Sequence, residues 1–210
     1  MKLYVVRHGQ TEENVSGILQ GQNHGTLTPW GREQAQRVAL RLRAIRFDAI
    51  YTSDLARARE TAQAIAAYHH VPVYPATLLR ERHAGIFQGR HISEMVQAES
   101  DAGIDHTEYR PPEGENYRDV RQRVATFLAQ LNAAHKRDTI LLVSHGRWMR
   151  MFWSLILQKS IPDALAISQA NTCVNVVQGD LTAGFEVELL NCTAHLTAHP
   201  EAAAGVVTRT

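Results

Sequence analysis

The sequence predicts an α/β fold: a three-layer α/β/α sandwich around a mostly parallel central sheet, with a lid inserted over one end. Three observations carry this reading. The apolar run Leu3-Tyr4-Val5-Val6 stops at Arg7-His8-Gly9, and the run Ile140-Leu141-Leu142-Val143 stops at Ser144-His145-Gly146. Continuous apolar runs with β-branched residues suit parallel strands covered on both faces. Strand-like and helix-like stretches alternate along the rest of the chain, except between Arg82 and Pro112, where Gly85, Gly89 and Gly103 break the pattern. Ligands of open α/β sheets bind beyond the carboxyl ends of the strands, so the two histidines are expected to share one crevice.

The first strand is Lys2–Arg7, followed by a polar loop carrying Gly9, Gly17, Gly21 and Gly25. Thr28-Pro29 opens a helix, with Thr as N-cap and Pro at the first position, that runs to about Ile45. A short strand at Ala49–Thr52 passes through the capping residues Ser53-Asp54 into an alanine-rich helix ending near His70, where His69-His70 reads as a pair of C-terminal cations. Val71–Pro75 is another short strand. The irregular stretch after Arg82, in which only Ile92, Met95 and Val96 suggest a short helix, reads as a lid. Asn116–Arg137 is a long amphipathic helix with Val120, Val124, Phe127, Leu128 and Leu131 on one face. A helix at Trp148–Leu157 and two late strands, Cys173–Gln178 and Phe185–Asn191, complete the sheet.

These elements form one expected domain over residues 1–196, with the lid at about 82–115, and residues 197–210 read as a flexible tail. Lys+Arg 22 against Asp+Glu 21 leaves a net charge of +1, which argues against nucleic acid or an anionic membrane as partner. Only four apolar residues separate Lys2 from Arg7, so no secretory signal is expected and a cytoplasmic location follows. Cys173 and Cys192 lack a Cys-x-x-Cys spacing and read as two buried free thiols. His24, His69, His70, His83, His91, His106 and His135 show no ligand spacing, so no metal is expected.

Four segments, VRHGQTEEN at Val6–Asn14, SDLARARET at Ser53–Thr61, LRERHAG at Leu79–Gly85 and VSHG at Val143–Gly146, together resemble the histidine phosphatase superfamily, the phosphoglycerate mutase-like proteins. The resemblance spans about Lys2 to Leu196. It implies that His8 is the nucleophile that becomes phosphohistidine, that Arg7, Arg57 and His145 hold the phosphoryl oxygens, and that Glu81 is the proton donor. It further implies a substrate-binding rim of Gly9, Thr11, Asn14, Gln20, Gly21, His83 and Gly146, with no cofactor. Its chemistry agrees with the residues: a phosphate monoester is a dianion and needs fixed positive charge, planar donors and a neutral nucleophile. Arg57 falls near a helix start, where the macrodipole disfavours a cation. A local rule broken in this way marks function.

The function so implied is metal-independent hydrolysis of small phosphomonoesters, such as sugar phosphates or phospho-acids, through phosphohistidine. Two alternatives are a cofactor-dependent phosphoglycerate mutase and a non-catalytic phosphate-binding or scaffold protein; the intact His8, Arg7, Arg57, Glu81 and His145 count against the latter. The resembling mutases use a basic lid and a tyrosine soon after the acid, whereas here Ala84 stands in the tyrosine's place. Lid residues Glu99, Asp101, Asp105, Glu108, Glu113 and Glu115 outnumber Arg90 and Arg110, which favours the phosphatase branch. Gln88 is mutase-like, and Tyr109–Val124 resembles the TIGAR-type sugar bisphosphatases.

Overall fold

The computed structural model describes residues 1–197, so the expected tail lies, from residue 198 onward, outside the described residues. Six strands form one sheet in the order β3-β2-β4-β1-β5-β6. These are β1 (Lys2–Arg7), β2 (Ala49–Thr52), β3 (Val73–Pro75), β4 (Thr139–Ser144), β5 (Val174–Asp180) and β6 (Gly184–Cys192). β3, β2, β4 and β1 run parallel; β5 is antiparallel to β1, and β6 to β5. The sheet is therefore mixed but mostly parallel, with helices on both faces.

Alternation along β1 and β4 explains why their apolar runs are continuous. Leu3, Val5, Ile140 and Leu142 face α5 (Tyr117–Ala134) and α6 (Gly146–Ile156), which supply Val120, Phe127, Trp148 and Phe152. Val6, Leu141 and Val143 face the other way, against α2 (Pro29–Leu42) and α3 (Ala56–Ala66). Every one of these strand residues is essentially solvent-free. Thr28 caps α2 as expected, its hydroxyl accepting the Gly31 amide at 2.8 Å.

Several boundaries differ from the sequence reading. α2 stops at Leu42 and α3 at Ala66, and α3 is capped by Leu55 without a side-chain bond, because Asp54 is taken by Arg80. His69 is not a free cation: it stacks edge-on against Phe47 at 5.0 Å, and burial lowers its pKa. Cys173 is buried, but Cys192 is only half-buried and its sulfur accepts from Arg41 at 3.2 Å. Two short helices, α1 (Glu12–Ser16) and α7 (Ile161–Leu165), fall where only loops were expected. The lid is more ordered than its glycines suggest, with an eleven-residue helix α4 (Ile92–Ala102) closed by Gly103 in the left-handed conformation. Its own small core, Ala84, Phe87, Met95 and Tyr109, packs on Leu19.

Candidate active site

Parallel pairing of β1 with β4 sets Arg7 opposite Ser144, and the His8 amide donates to the Ser144 carbonyl at 3.0 Å. The strands end together, which brings the His8 and His145 rings to 5.1 Å between centroids. Arg7 lies across the second His-Gly pair: a Cβ on Gly146 would stand 3.5 Å from its guanidinium carbon. Gly9 is required for a different reason, since a Cβ there would meet the Gly31 carbonyl oxygen at 2.4 Å. The start of α2 thus packs directly on the first His-Gly turn.

His8 Nδ1 lies 2.7 Å from the Gly9 carbonyl. A carbonyl only accepts, so this bond assigns the proton to Nδ1 and leaves the Nε2 lone pair free. Burial, followed by the charges of Arg57 and Arg7, holds the imidazole well below its ordinary pKa of 6.5. A neutral ring with its outer nitrogen unprotonated is the nucleophilic form. His145 is also kept neutral, by burial and then by Arg57, His8 and Arg7.

Arg57 is 1% exposed and donates to the carbonyls of Gly21, Asn23 and His24 at 2.6–3.0 Å, fixing the loop that the polar glycine-rich segment forms. Burial lowers its pKa to about 10, which leaves it cationic at neutral pH. Its Nε has no partner among the described residues, and neither do Arg7 Nε or the two ring nitrogens of His145, all four buried. Buried polar nitrogens are almost always paired, so two arginine donors and an imidazole left without partners beside His8 mark a place built for a hydrogen-bonding ligand. A cavity of about 170 Å³ opens here, lined by Arg7, His8 and Arg57 at its floor.

Glu81 closes one side. Its carboxylate accepts the amides of Arg82 at 2.8 Å and of Arg147 and Trp148 at 3.2 Å, so it caps the N-terminus of α6. Burial alone would raise its pKa, but the Arg147 charge, these amides and Arg57 outweigh burial and hold it below the ordinary 4.5. The loop carrying Glu81 is clamped by Arg123, which donates to the carbonyls of Leu78, Arg80 and Glu81 and pairs with Glu115. Arg82 adds bonds to the carbonyls of Glu115 and Tyr109. The acidic Pro111–Glu115 stretch therefore braces the acid rather than facing substrate.

Of the expected rim, Asn14, Gln20 and Gly21 line the cavity. Thr11 is buried beneath it, capping α1 and accepting from Gln20 at 2.8 Å. His83 is turned aside, its ring accepting the Gly85 amide at 3.0 Å. The lid's acidic residues are not on the cavity wall. Glu99 is bound to His106, Glu108 to Arg118 and Glu115 to Arg123, while the lid residue that reaches the cavity is Ile92. Sequence reading missed Glu13, Ile18, Leu19 and Arg147 on the walls. Arg147 alone carried a signal, as the residue directly after His145-Gly146.

Among the described residues, no group of three or more His, Cys, Asp or Glu side chains is placed to hold a metal ion, and no helix is long and apolar enough to cross a membrane. Residues 3–193 match the model of the histidine phosphatase superfamily, branch 1. A probable phosphoglycerate mutase of Shigella boydii is 31% identical over 206 residues, covering 94% of this chain and 96% of the relative. A broad-specificity phosphatase of Saccharomyces cerevisiae is 32% identical, covering 84% and 79%. The solved structure of YhfR from Bacillus stearothermophilus superposes with a TM-score of 0.85 at 31% identity, over 93% of this chain and 98% of the other. The chain belongs to branch 1 of the histidine phosphatase superfamily and is a phosphoric monoester hydrolase of that type.

Proposed function

We propose that this enzyme hydrolyses small phosphomonoester metabolites without a metal ion, through a phosphohistidine on His8. The observation that carries the proposal is the ring of unpaired buried nitrogens, Arg7 Nε, Arg57 Nε and both of His145, around a neutral His8. In this reading a phosphoryl group takes the two arginine N–H groups and the single N–H of the neutral His145 ring as it enters. His8 Nε2 attacks phosphorus, the bond from phosphorus to the leaving oxygen breaks, and Glu81 gives that oxygen a proton. Water then attacks phosphohistidine, Glu81 accepts the water's proton, and inorganic phosphate departs with the His8 lone pair restored.

Its neighbours hold Glu81 ionised at neutral pH, so its proton must arrive with the substrate. A phosphate monoester has its second pKa near ~6, and the monoanion brings one proton into the cavity. Negative charge placed beside Glu81 raises its proton affinity, which lets the carboxyl hold that proton until the leaving oxygen needs it.

The test is to incubate the enzyme with p-nitrophenyl phosphate, quench in alkali and locate phosphate by mass spectrometry. An acid-labile phosphate on His8, lost in His8→Ala, is expected; phosphate on Ser144, or on no residue, refutes the covalent step. Activity should survive EDTA. A mutase favours transfer over hydrolysis, whereas this enzyme, given 3-phosphoglycerate with 2,3-bisphosphoglycerate, should give free phosphate faster than 2-phosphoglycerate. The cavity supports this order, because no lid cation lines it and Ala84 is buried in the lid's own core.

A further inference from the structure

Arg147 is the third cation on the cavity wall, and the phosphoryl oxygens do not need it. Arg7 and Arg57, each with an unpaired nitrogen, line the cavity, and the unpaired His145 ring lies 5.1 Å from the His8 ring between centroids. Arg147 stands at the second position of α6, beside Glu81, on the side where a leaving group must lie if Glu81 is to protonate it.

Its setting is constructed. The Tyr117 hydroxyl neighbours its side chain, and that hydroxyl lies 3.3 Å from His106 Nε2. His106 Nδ1 in turn meets Glu99 at 2.6 Å. Tyr117 and Glu99 are 2% and 6% exposed, whereas the His106 side chain between them is 48% exposed, so this polar relay runs from the lid to the cavity with its middle member open to solvent. Arg82 stacks over the Tyr117 ring at 4.5 Å and fixes its plane. Burial would lower the Arg147 pKa, but Tyr117, Glu81 and Glu99 outweigh it and keep the guanidinium charged.

A guanidinium presents a planar fork that matches a carboxylate. The cavity, at about 170 Å³, is well below the ~300 Å³ at which drug-sized pockets begin, so the leaving group is short. The facing wall is apolar at Ile18, Leu19 and Ile92, and the acidic Glu13 there accepts the Thr26 amide at 3.3 Å. Resting on the phosphatase reading of the same cavity, we propose that Arg147, positioned by the Tyr117–His106–Glu99 relay, is a specificity-determining residue that takes the carboxylate of a short phosphorylated acid.

The test separates this role from support of Glu81 by measuring binding without turnover. On His8→Ala protein, calorimetry compares 3-phosphoglycerate with glycerol 3-phosphate, which lacks the carboxylate. The phosphoglycerate should bind more tightly, and Arg147→Gln should cost it about 10- to 100-fold while costing glycerol phosphate less than about threefold. Arg147→Lys should fall between, since an ammonium keeps charge but loses the fork. Tyr117→Phe, which retains the ring under Arg82, should narrow the preference in the same direction. Equal affinities in the starting protein, or equal losses for both ligands, overturn the assignment. If neither ligand binds, hydrolysis of p-nitrophenyl phosphate by the wild-type enzyme decides which reading fails: with hydrolysis only the Arg147 assignment falls, and without it both proposals fall. An Arg147 that served only Glu81 would lower kcat for every alkyl phosphate alike and leave the affinity ratio unmoved.

Discussion

Acid should unfold this protein through histidines that the fold keeps neutral. His8, His145 and His195 are 2%, 0% and 4% exposed, and each has its pKa driven down by burial first and by neighbouring arginines next. His195 falls to about 4, with Arg41 and Arg37 beside it. In the unfolded chain all three regain the ordinary 6.5. Below that value the unfolded state takes up protons that the folded state refuses, so stability is lost as pH falls. Each ring contributes about 1.4 kcal/mol across the window from about pH 7.5 to about pH 5.5, and three together cost about 4 kcal/mol. That is a large part of a typical folding free energy of about 5–15 kcal/mol. Glu81 adds nothing there, because its stabilisation is present above the ordinary 4.5 and disappears only at lower pH. Urea titrations followed by tryptophan fluorescence in phosphate-free buffer measure the loss. In the His8→Gln, His145→Gln double variant it should shrink to about a third, since one buried neutral ring remains. A double variant that keeps the full loss would show that these rings protonate freely in the folded chain.

Other perturbations have equally definite outcomes. Glu81→Gln should lower turnover of glycerol phosphate by about 10²–10⁴ and slow phosphohistidine formation from p-nitrophenyl phosphate much less, because nitrophenolate leaves unaided; stopped-flow bursts on both substrates check it. Gly9→Ala drives a Cβ to within 2.4 Å of the Gly31 carbonyl, a backbone group that cannot swing away, and thermal melts should show a loss of about 1–3 kcal/mol. Arg123→Met frees three carbonyls and strands Glu115, so it should destabilise by about 3 kcal/mol or more in urea titrations and loosen the Glu81 loop, with kcat falling while phosphate affinity holds.

Most of the floor of the site was legible in the sequence because strand ends are legible. An apolar run that stops at His-Gly announces both the strand and the residue presented beyond it, and Arg57 was visible as a cation at the wrong end of a helix. The walls were harder. α4 was reduced to a fragment since only Met95 and Glu99 of its residues are buried, which leaves almost no apolar period to count. α1 is five residues long and buries none of them. The lid's carboxylates were legible as charge but not as partners: that Glu99, Glu108 and Glu115 are each matched to a basic side chain depends on tertiary placement. Arg147 was passed over as the residue between His145-Gly146 and the expected helix at Trp148, and its place at the site shows only where Glu81, far earlier in the chain, accepts its amide.

The β1–β4 ladder acts as a measuring rod for catalysis. Its register, Lys2 against Thr139 through Arg7 against Ser144, is what makes two histidines 137 positions apart in sequence arrive at the same depth beyond the sheet. A slip of one residue would turn Leu3 and Val5 to the opposite face and move one imidazole a strand step of about 3.3 Å from its partner. Neither ring can therefore be brought into working order by local structure alone. Any variant that adds or removes a residue within either strand should yield a protein whose loss of activity exceeds its loss of helix, although every residue named in the reaction is still present.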